Sequence, residues 1–350
     1  FSMKGCGHCE NFKSIWKDIE KSEIGSYTIH IGPDDPDYNN KCKQYSISGF
    51  PHIQLTKNGV KISEYSGPRN LISTQCMRFL SWNVAGLRSK LKKGHLDFIR
   101  DDEYDIVCLQ ETKTLESQVN LPEWVNELYP YQTWVGCDGT SQRKGLNGVC
   151  IWSRHEPLEA FEGMSLGQCE GRIVGLEFEC FNIVTVYTPN SQSKDSIRNK
   201  FRENKWDPAF KKWISSRNKI KPTIVCGDFN VARDDDLDVA LPDKWKDQPG
   251  LLRKERSNFE ALLGKGFIDV YRKLNPEEPG AYTYWNQKVP GERKANIGWR
   301  IDYFLVPRSL WAYVVDCVIY NDVMGSDHCP VCLMMSEAKK RRPLRVSRKA

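Results

Sequence analysis

"TIVCGDFN", residues 223–230, decides how this chain is read. Its first four residues are apolar or β-branched with no polar alternation, the pattern of a strand buried on both faces. It closes on Asp228 and Asn230, and strand ends are where layered folds place their sites. The same design recurs on both sides of it. "DIVCLQE" (105–111), "GVCIWS" (148–153), "IVGLEF" (173–178), "FNIVTVYTPN" (181–190), "WRIDYFLV" (299–306), "CVIY" (317–320) and "CPVCLMM" (329–335) are short apolar runs bounded by polar turns. Between them lie longer segments of helical character: "KLKKGHLDFIRDD", "IRNKFRENKWDPAFKKWISSRN" and "RKERSNFEALLGKG". Roughly ten strands with a few helices predict an α/β fold of two sheets packed face to face, with helices outside.

The 350-residue chain is 39% hydrophobic and 27% charged, the balance of a globular protein. No run approaches the roughly 18 consecutive apolar residues that a membrane span needs. The opening at Phe1 has no signal-peptide pattern, and residues are expected to precede it. Net charge is +6, but the tail "KKRRPLRVSRKA" alone carries seven basic residues and no acid. The body is therefore near neutral and is no general sponge for nucleic acid. The tail, within 337–350, reads as a nuclear address, a DNA-tethering arm or a disordered solubiliser. The 13 cysteines are irregularly spaced, and Cys108, Cys150, Cys226 and Cys332 sit in or beside apolar runs. That usage points to a reducing, intracellular compartment, nucleus or cytoplasm.

A different pattern occupies residues 1–74. "GCGHC" precedes a segment in which Phe12, Ile15, Trp16 and Ile19 fall at helical spacing. A thiolate at Cys6, the first of the Cys6–Cys9 pair, would gain from a helix N-terminus. "YTIHI" reads as a strand, and "ISGFPHIQLTKNGVKISEYSG" as two strands around the "KNG" turn. The order of CxxC helix, Pro51 and hairpin resembles the thioredoxin family, with the CGHC form of protein disulfide isomerases. The resemblance lacks the family's first strand and helix, and Gly5 stands where the family usually has Trp. It implies a partial thioredoxin-like domain that is a docking module, a redox control or an inert relic.

The polar residues that end the apolar runs are the informative ones. Asn83 ends "FLSWN", Glu111 ends "IVCLQE", Tyr187 and Asn190 end "IVTVYTPN", Asp302 lies in "WRIDYF", and Asp327 and His328 follow the last strands. Singly, each has an ordinary explanation, such as an Asn bonding its own backbone in a turn. Together they form a set. Glu111 and Asp327 offer hard oxygen ligands, with Asn83 beside them, which suits Mg²⁺. There is no Cys/His group with zinc spacing and no GxxxxGK[ST] phosphate loop. Mg²⁺ beside a His-Asp pair and a second Asp-Asn pair suits phosphodiester hydrolysis.

Seven motifs, "SWNVAGLRS", "DIVCLQETK", "VYTPNS", "CGDFNVA", "AYTYW", "GWRIDYFLV" and "GSDHCP", occur in order. By them, residues 77–336 resemble the exonuclease III-like abasic-site endonucleases of the endonuclease/exonuclease/phosphatase superfamily. The resemblance implies a four-layer α/β sandwich and a Mg²⁺ ion, for which Mn²⁺ substitutes. Glu111 matches the principal metal carboxylate, with Asn83 and Asp327 as neighbours of that ion and Asp228 and Asn230 available to a second. Asp228 and Asn230 match the pair that handles the attacking water. His328 matches the phosphate-side histidine, Asp302 its orienting partner, Tyr187 the active-site tyrosine and Asn190 a phosphate contact. Asp228 is the favoured water-activating base, with His328 and Tyr187 as alternatives. Tyr284, Trp299 and Ile301 match the wall of a pocket for a sugar without a base. Arg172, Lys113 and Arg88 are expected at the DNA backbone.

The implied activity is incision of double-stranded DNA 5′ to an abasic site, leaving a 3′-hydroxyl, with 3′-phosphodiesterase and 3′→5′ exonuclease activity, by a monomer. The rival readings are a superfamily phosphodiesterase acting on phosphoinositides, RNA or protein–DNA adducts, and a thiol-redox or scaffold protein with an inactive nuclease fold. Ala85 departs from the family's Asp or Asn beside the metal, which predicts weaker Mg²⁺ affinity. Ser193 stands where mammalian-type enzymes carry a groove-entering arginine, which predicts faster product release.

Overall fold

The structure is a computed structural model that describes residues 54–57, 60–64, 76–137, 139, 145–164, 166 and 171–336. Cys6, Cys9, Pro51 and the basic tail lie outside the described residues. The chain divides into two units, the larger running from Met77 to Met335. In the smaller, strands β1 (Gln54–Lys57) and β2 (Val60–Glu64) pair antiparallel, with Lys57 opposite Val60. This is the hairpin that "KNG" predicts.

Among its described residues the larger unit has twelve strands: β3 (Met77–Asn83), β4 (Ile106–Gln110), β5 (Tyr131–Val135), β6 (Val149–Ser153), β7 (Glu159–Glu162), β8 (Ile173–Glu177), β9 (Asn182–Tyr187), β10 (Thr223–Asp228), β11 (Phe267–Asp269), β12 (Asp302–Pro307), β13 (Val314–Ile319) and β14 (Val331–Met335). They form two six-stranded mixed sheets, ordered β13-β14-β3-β4-β6-β5 and β11-β12-β10-β9-β8-β7. The sheets face one another. Gln110 Nε2 of β4 donates to Thr185 Oγ1 of β9 at 2.7 Å across the interface, and Phe79 meets Phe181 edge-on at 5.9 Å. Strands β4, β6 and β10 are buried along their whole length, which explains their unbroken apolar sequence.

Helices cover both outer faces. On one sheet lie α1 (Leu87–Lys92), α2 (Asp97–Asp101) and α3 (Glu123–Leu128), packing Leu87, Ile99 and Val125 with Trp82, Val107 and Trp152. On the other lie α4 (Ile197–Phe201), α5 (Asp207–Ile220) and α6 (Arg253–Leu263). Phe210 and Ile214 of α5 are one turn apart and buried, and join Phe259 and Leu262 of α6 over Val184, Val225 and Leu305. Pro208 and Asp207 in the first turn of α5, and Arg217 and Lys219 in its last, suit its dipole. The four layers are those expected. Two predicted helices differ in detail. The 90–102 segment breaks at Gly94, whose φ of 69° ends α1. The 197–218 segment contains a π turn at Arg202–Trp206 between α4 and α5.

Topology gathers the polar strand ends. β3 runs parallel to β4, and β9 parallel to β10, so Asn83 lies opposite Gln110 and Asp228 opposite Tyr187. β12 runs antiparallel to β10, starting at Asp302 opposite Asp228. Three residues just past these ends, Ala85 (φ 47°), Glu111 (φ 50°) and Asn230 (φ 48°), have left-handed backbones. Such sharp turns aim side chains over the mouth of the sheets. Among the described residues no helix is long and apolar enough to cross a membrane.

Candidate active site

At this mouth a cleft of about 410 Å³ is lined by Glu111, Tyr187, Asn190, Asp228, Asn230, Tyr284, Trp299, Ile301, Asp327 and His328, among others. Two carboxylates, Asp228 and Asp302, flank the buried imidazole of His328. Asp302 Oδ2 lies 2.8 Å from His328 Nδ1, and Asp228 Oδ2 lies 3.9 Å from Nε2. Burial works against a charged imidazole here. Asp302 and Asp228 outweigh it and hold the His328 pKa up at about 10. Burial also lifts the Asp228 carboxyl to about 7, with Asp302 and Glu111 adding to the rise and His328 opposing it. Asp228, Asp302 and His328 lie close enough to hold an ion. The 2.8 Å contact engages His328 Nδ1 with Asp302 and leaves Nε2 towards Asp228.

Asn83 sits at the centre. Its Oδ1 accepts the Ala85 N–H at 3.0 Å, so its Nδ2 must face the other way. That nitrogen donates to Glu111 Oε1 at 3.2 Å and to Asp228 Oδ2 at 2.9 Å. In this arrangement the Asn83 amide positions the carboxylates of Glu111 and Asp228. Its carbonyl accepts from Ser326 Oγ at 2.7 Å, and that hydroxyl also meets Asp327 Oδ1 at 3.2 Å. Asn83 and Ser326 together thus tie Glu111 to Asp327.

A divalent ion fits this donor set. Glu111 and Asp327 both open onto the cleft as hard oxygens. Glu111 Oε2 already attracts a cation, Lys113 Nζ, at 2.6 Å. Burial acts to raise the Glu111 pKa, but Lys113 and the Tyr187 hydroxyl reverse the effect and keep it ionised. Burial and the Glu111 charge push the Tyr187 hydroxyl well above its ordinary value. Asn230 is fixed from three sides. Its N–H donates to Asp228 Oδ1 at 2.8 Å, its Nδ2 to the Thr188 carbonyl at 2.9 Å, and its Oδ1 accepts from Asn190 at 3.0 Å.

The three residues expected at the DNA backbone lie in different surroundings. Arg172 is only 2% exposed; its guanidinium lies over the Tyr187 ring at 4.9 Å and donates to the Tyr187 carbonyl at 3.1 Å. It supports Tyr187 from behind instead of facing an open surface. Lys113 pairs with Glu111, and Arg88 is exposed on α1, outside the cleft lining. The apolar wall is present. Trp299 meets Tyr284 at 6.1 Å, Tyr284 meets His328 at 5.0 Å, and Ile301 is buried among them. Thr283 Oγ1 accepts the N–H groups of both Ile301 and Asp302.

The strand-end pattern misses Trp245 and Glu292. Trp245 packs perpendicular to Trp299 at 5.7 Å, and buried Glu292 pairs with Lys244 at 3.4 Å; both line the cleft. Both come from aperiodic polar loops, where a lone Trp in "PDKWKDQPG" is the one available signal.

Two packed mixed sheets with carboxylates, amides and one imidazole at a shared mouth define a hydrolytic α/β sandwich. Residues 80–328 match the model of the Endonuclease/Exonuclease/phosphatase family, and the chain belongs to that family. Residues 1–76 match the Thioredoxin model. The chain is 39% identical over 264 residues to an exodeoxyribonuclease of Bacillus subtilis, covering 74% of this chain and 100% of that protein. It is 37% identical over 267 residues to the DNA repair nuclease APEX1 of Danio rerio, covering 74% and 82%. Similar solved structures include a 3′ phosphatase, NExo, from Neisseria bound to product DNA hairpin (TM-score 0.67, 26% identity, 74% and 99% covered). Another is an AP endonuclease from Archaeoglobus fulgidus (TM-score 0.66, 27% identity, 74% and 99% covered).

Proposed function

We propose that this chain is a Mg²⁺-dependent abasic-site endonuclease of base-excision repair, cutting double-stranded DNA 5′ to the lesion and leaving a 3′-hydroxyl. The observation that carries this reading is the Asp302–His328–Asp228 arrangement facing Glu111 beside an apolar wall. His328, fixed by Asp302, donates from Nε2 to a phosphate oxygen. Asp228 accepts a proton from the attacking water, which Asn230 orients; a carboxyl lifted towards neutrality suits that role. Asn190 holds the phosphate from the opposite side, and Tyr187 keeps Glu111 in place. Glu111 and Asp327 would hold the ion, which when bound would supply charge neutralisation for the reaction. Mn²⁺ serves in place of Mg²⁺. A sugar lacking its base leaves the duplex at low unstacking cost, and the Tyr284–Trp299–Ile301 wall accepts it while excluding an intact nucleotide.

The likeness to a 3′ phosphatase from Neisseria supports a second reading, processing of 3′ ends at the same centre. One assay separates the two. A duplex with an internal tetrahydrofuran site and a duplex with a 3′-phosphate end are incubated with Mg²⁺ or EDTA, using wild type and Asp228→Asn. Incision at the internal site, lost in EDTA and in the variant, is expected. Release of phosphate without internal incision selects the second reading, and inertness on both duplexes ends the first.

A further inference from the structure

Three loops that line the cleft converge on one buried ion pair outside it. Arg202 opens the π turn and is 1% exposed. Its Nη1 donates to the Asn230 carbonyl at 2.8 Å and to Glu255 Oε1 at 2.8 Å, and its Nη2 donates to the Phe229 carbonyl at 2.9 Å. Glu255, in the first turn of α6, is equally buried. Its Oε1 also accepts from Ser191 Oγ at 2.5 Å, next to Asn190. Its Oε2 accepts the N–H groups of Gly250 at 2.7 Å and Leu252 at 3.1 Å. The Asn190, Asn230 and Gly250 loops are thus held by a single pair, and all three of these residues line the cleft.

A buried Arg–Glu pair is weak evidence for stability, because desolvation offsets most of its attraction. What the pair binds is more informative. Its charge-assisted bonds go to backbone carbonyls and amides of the loops, groups that could not stay unpaired in the interior. One of those loops carries Asn230 in a left-handed conformation that persists only when its surroundings impose it. The π turn puts Arg202 and Trp206, one turn apart, both on the buried side.

We infer that Arg202 and Glu255 are positioning residues that fix the Asn190, Asn230 and Gly250 loops around Asp228, so that the cleft is preset for its phosphate before substrate arrives. This rests on the hydrolytic reading of the cleft. The test uses Arg202→Lys, Glu255→Gln and Ser191→Ala in the full chain. It measures single-turnover incision of the tetrahydrofuran duplex, DNA affinity in EDTA, and amide hydrogen exchange at 188–192, 228–232 and 248–252.

Displacement of a reacting group by a fraction of an ångström costs about 10- to 100-fold in rate, the loss expected for Arg202→Lys and Glu255→Gln. DNA affinity, dominated by phosphate contacts, should change by less than about twofold. Exchange should accelerate in all three segments for the first two variants, and at 188–192 alone for Ser191→Ala, which keeps the ion pair intact. Incision within about twofold of wild type with unchanged exchange, or incision and binding falling together with the folded fraction, overturns the inference. If wild type itself fails to cut, the functional reading falls, and the exchange pattern still decides whether the pair holds the loops.

Discussion

His328 Nδ1 lies 2.8 Å from Asp302 Oδ2, while Nε2 faces Asp228 at 3.9 Å. The carboxylate of Asp302 can only accept, so Nδ1 carries the proton and the ring cannot turn without breaking that bond. The imidazole is oriented before any phosphate reaches it.

Asp302→Ala should therefore reduce turnover more than binding. We expect kcat to fall about 100-fold, as for loss of a preorganised charge-stabilising group, with KM little changed. Steady-state kinetics on the tetrahydrofuran duplex checks this. A rise in KM at constant kcat would assign Asp302 to substrate binding instead.

On the proposed function, selectivity is expected to rest on the wall at Ile301. Ile301→Ala opens space beside Trp299 and Tyr284, which pack against the same cluster. The ratio of kcat/KM for abasic over undamaged duplex should drop about tenfold or more, the range that a small change in an apolar pocket controls. An unchanged ratio would mean that discrimination lies elsewhere.

Behind that wall Arg300 bonds Asp238 at 2.8 Å and Asp269 at 2.7 Å, and Arg272 reaches Asp238 at 2.6 Å. Burial acts to raise the Asp238 pKa, but Arg300 and Arg272 outweigh it and hold it below the usual carboxylate value. A depressed carboxyl contributes stability that is present above its unfolded value of about 4 and is lost as pH falls below that. Asp238→Asn should cost about 3–5 kcal/mol at pH 7, since it leaves buried guanidinium charge unbalanced. It should also flatten the acid limb of stability. Urea unfolding from pH 7 down to pH 3 is the measurement; parallel curves for both proteins would refute it.

Ala85 holds a left-handed backbone (φ 47°), a conformation that Asp and Asn adopt more readily than Ala. It lies two residues from Asn83, whose amide joins Glu111 to Asp228. Ala85→Asp should lower the Mg²⁺ concentration for half-maximal incision by about tenfold, the scale of an outer-sphere carboxylate. Calorimetric titration of Mn²⁺ into the free protein should show the same tightening. Equal affinity in both proteins would place position 85 outside the influence of the ion.

Much of the site is written at strand ends. Asn83, Glu111, Tyr187 and Asp228 are legible because each ends an apolar run, and His328 because it comes just before one, β14; parallel pairing of β3 with β4 and β9 with β10 brings the first four ends to one mouth. Trp245 and Glu292 are not legible, because they sit in segments without strand or long-helix period and are placed by contacts such as those with Trp299 and Lys244.

The sequence by itself determined the layers: unbroken apolar runs demand burial on both faces, and helical periodicity supplies the covers. Only the tertiary structure decided what each polar group faces. It turned the Asn83 amide towards two carboxylates, set Arg172 behind Tyr187, and joined three loops through Arg202 and Glu255. The reason is physical. Burial follows from local pattern, whereas the direction of a hydrogen bond depends on partners that are distant in the chain and are brought near only by folding.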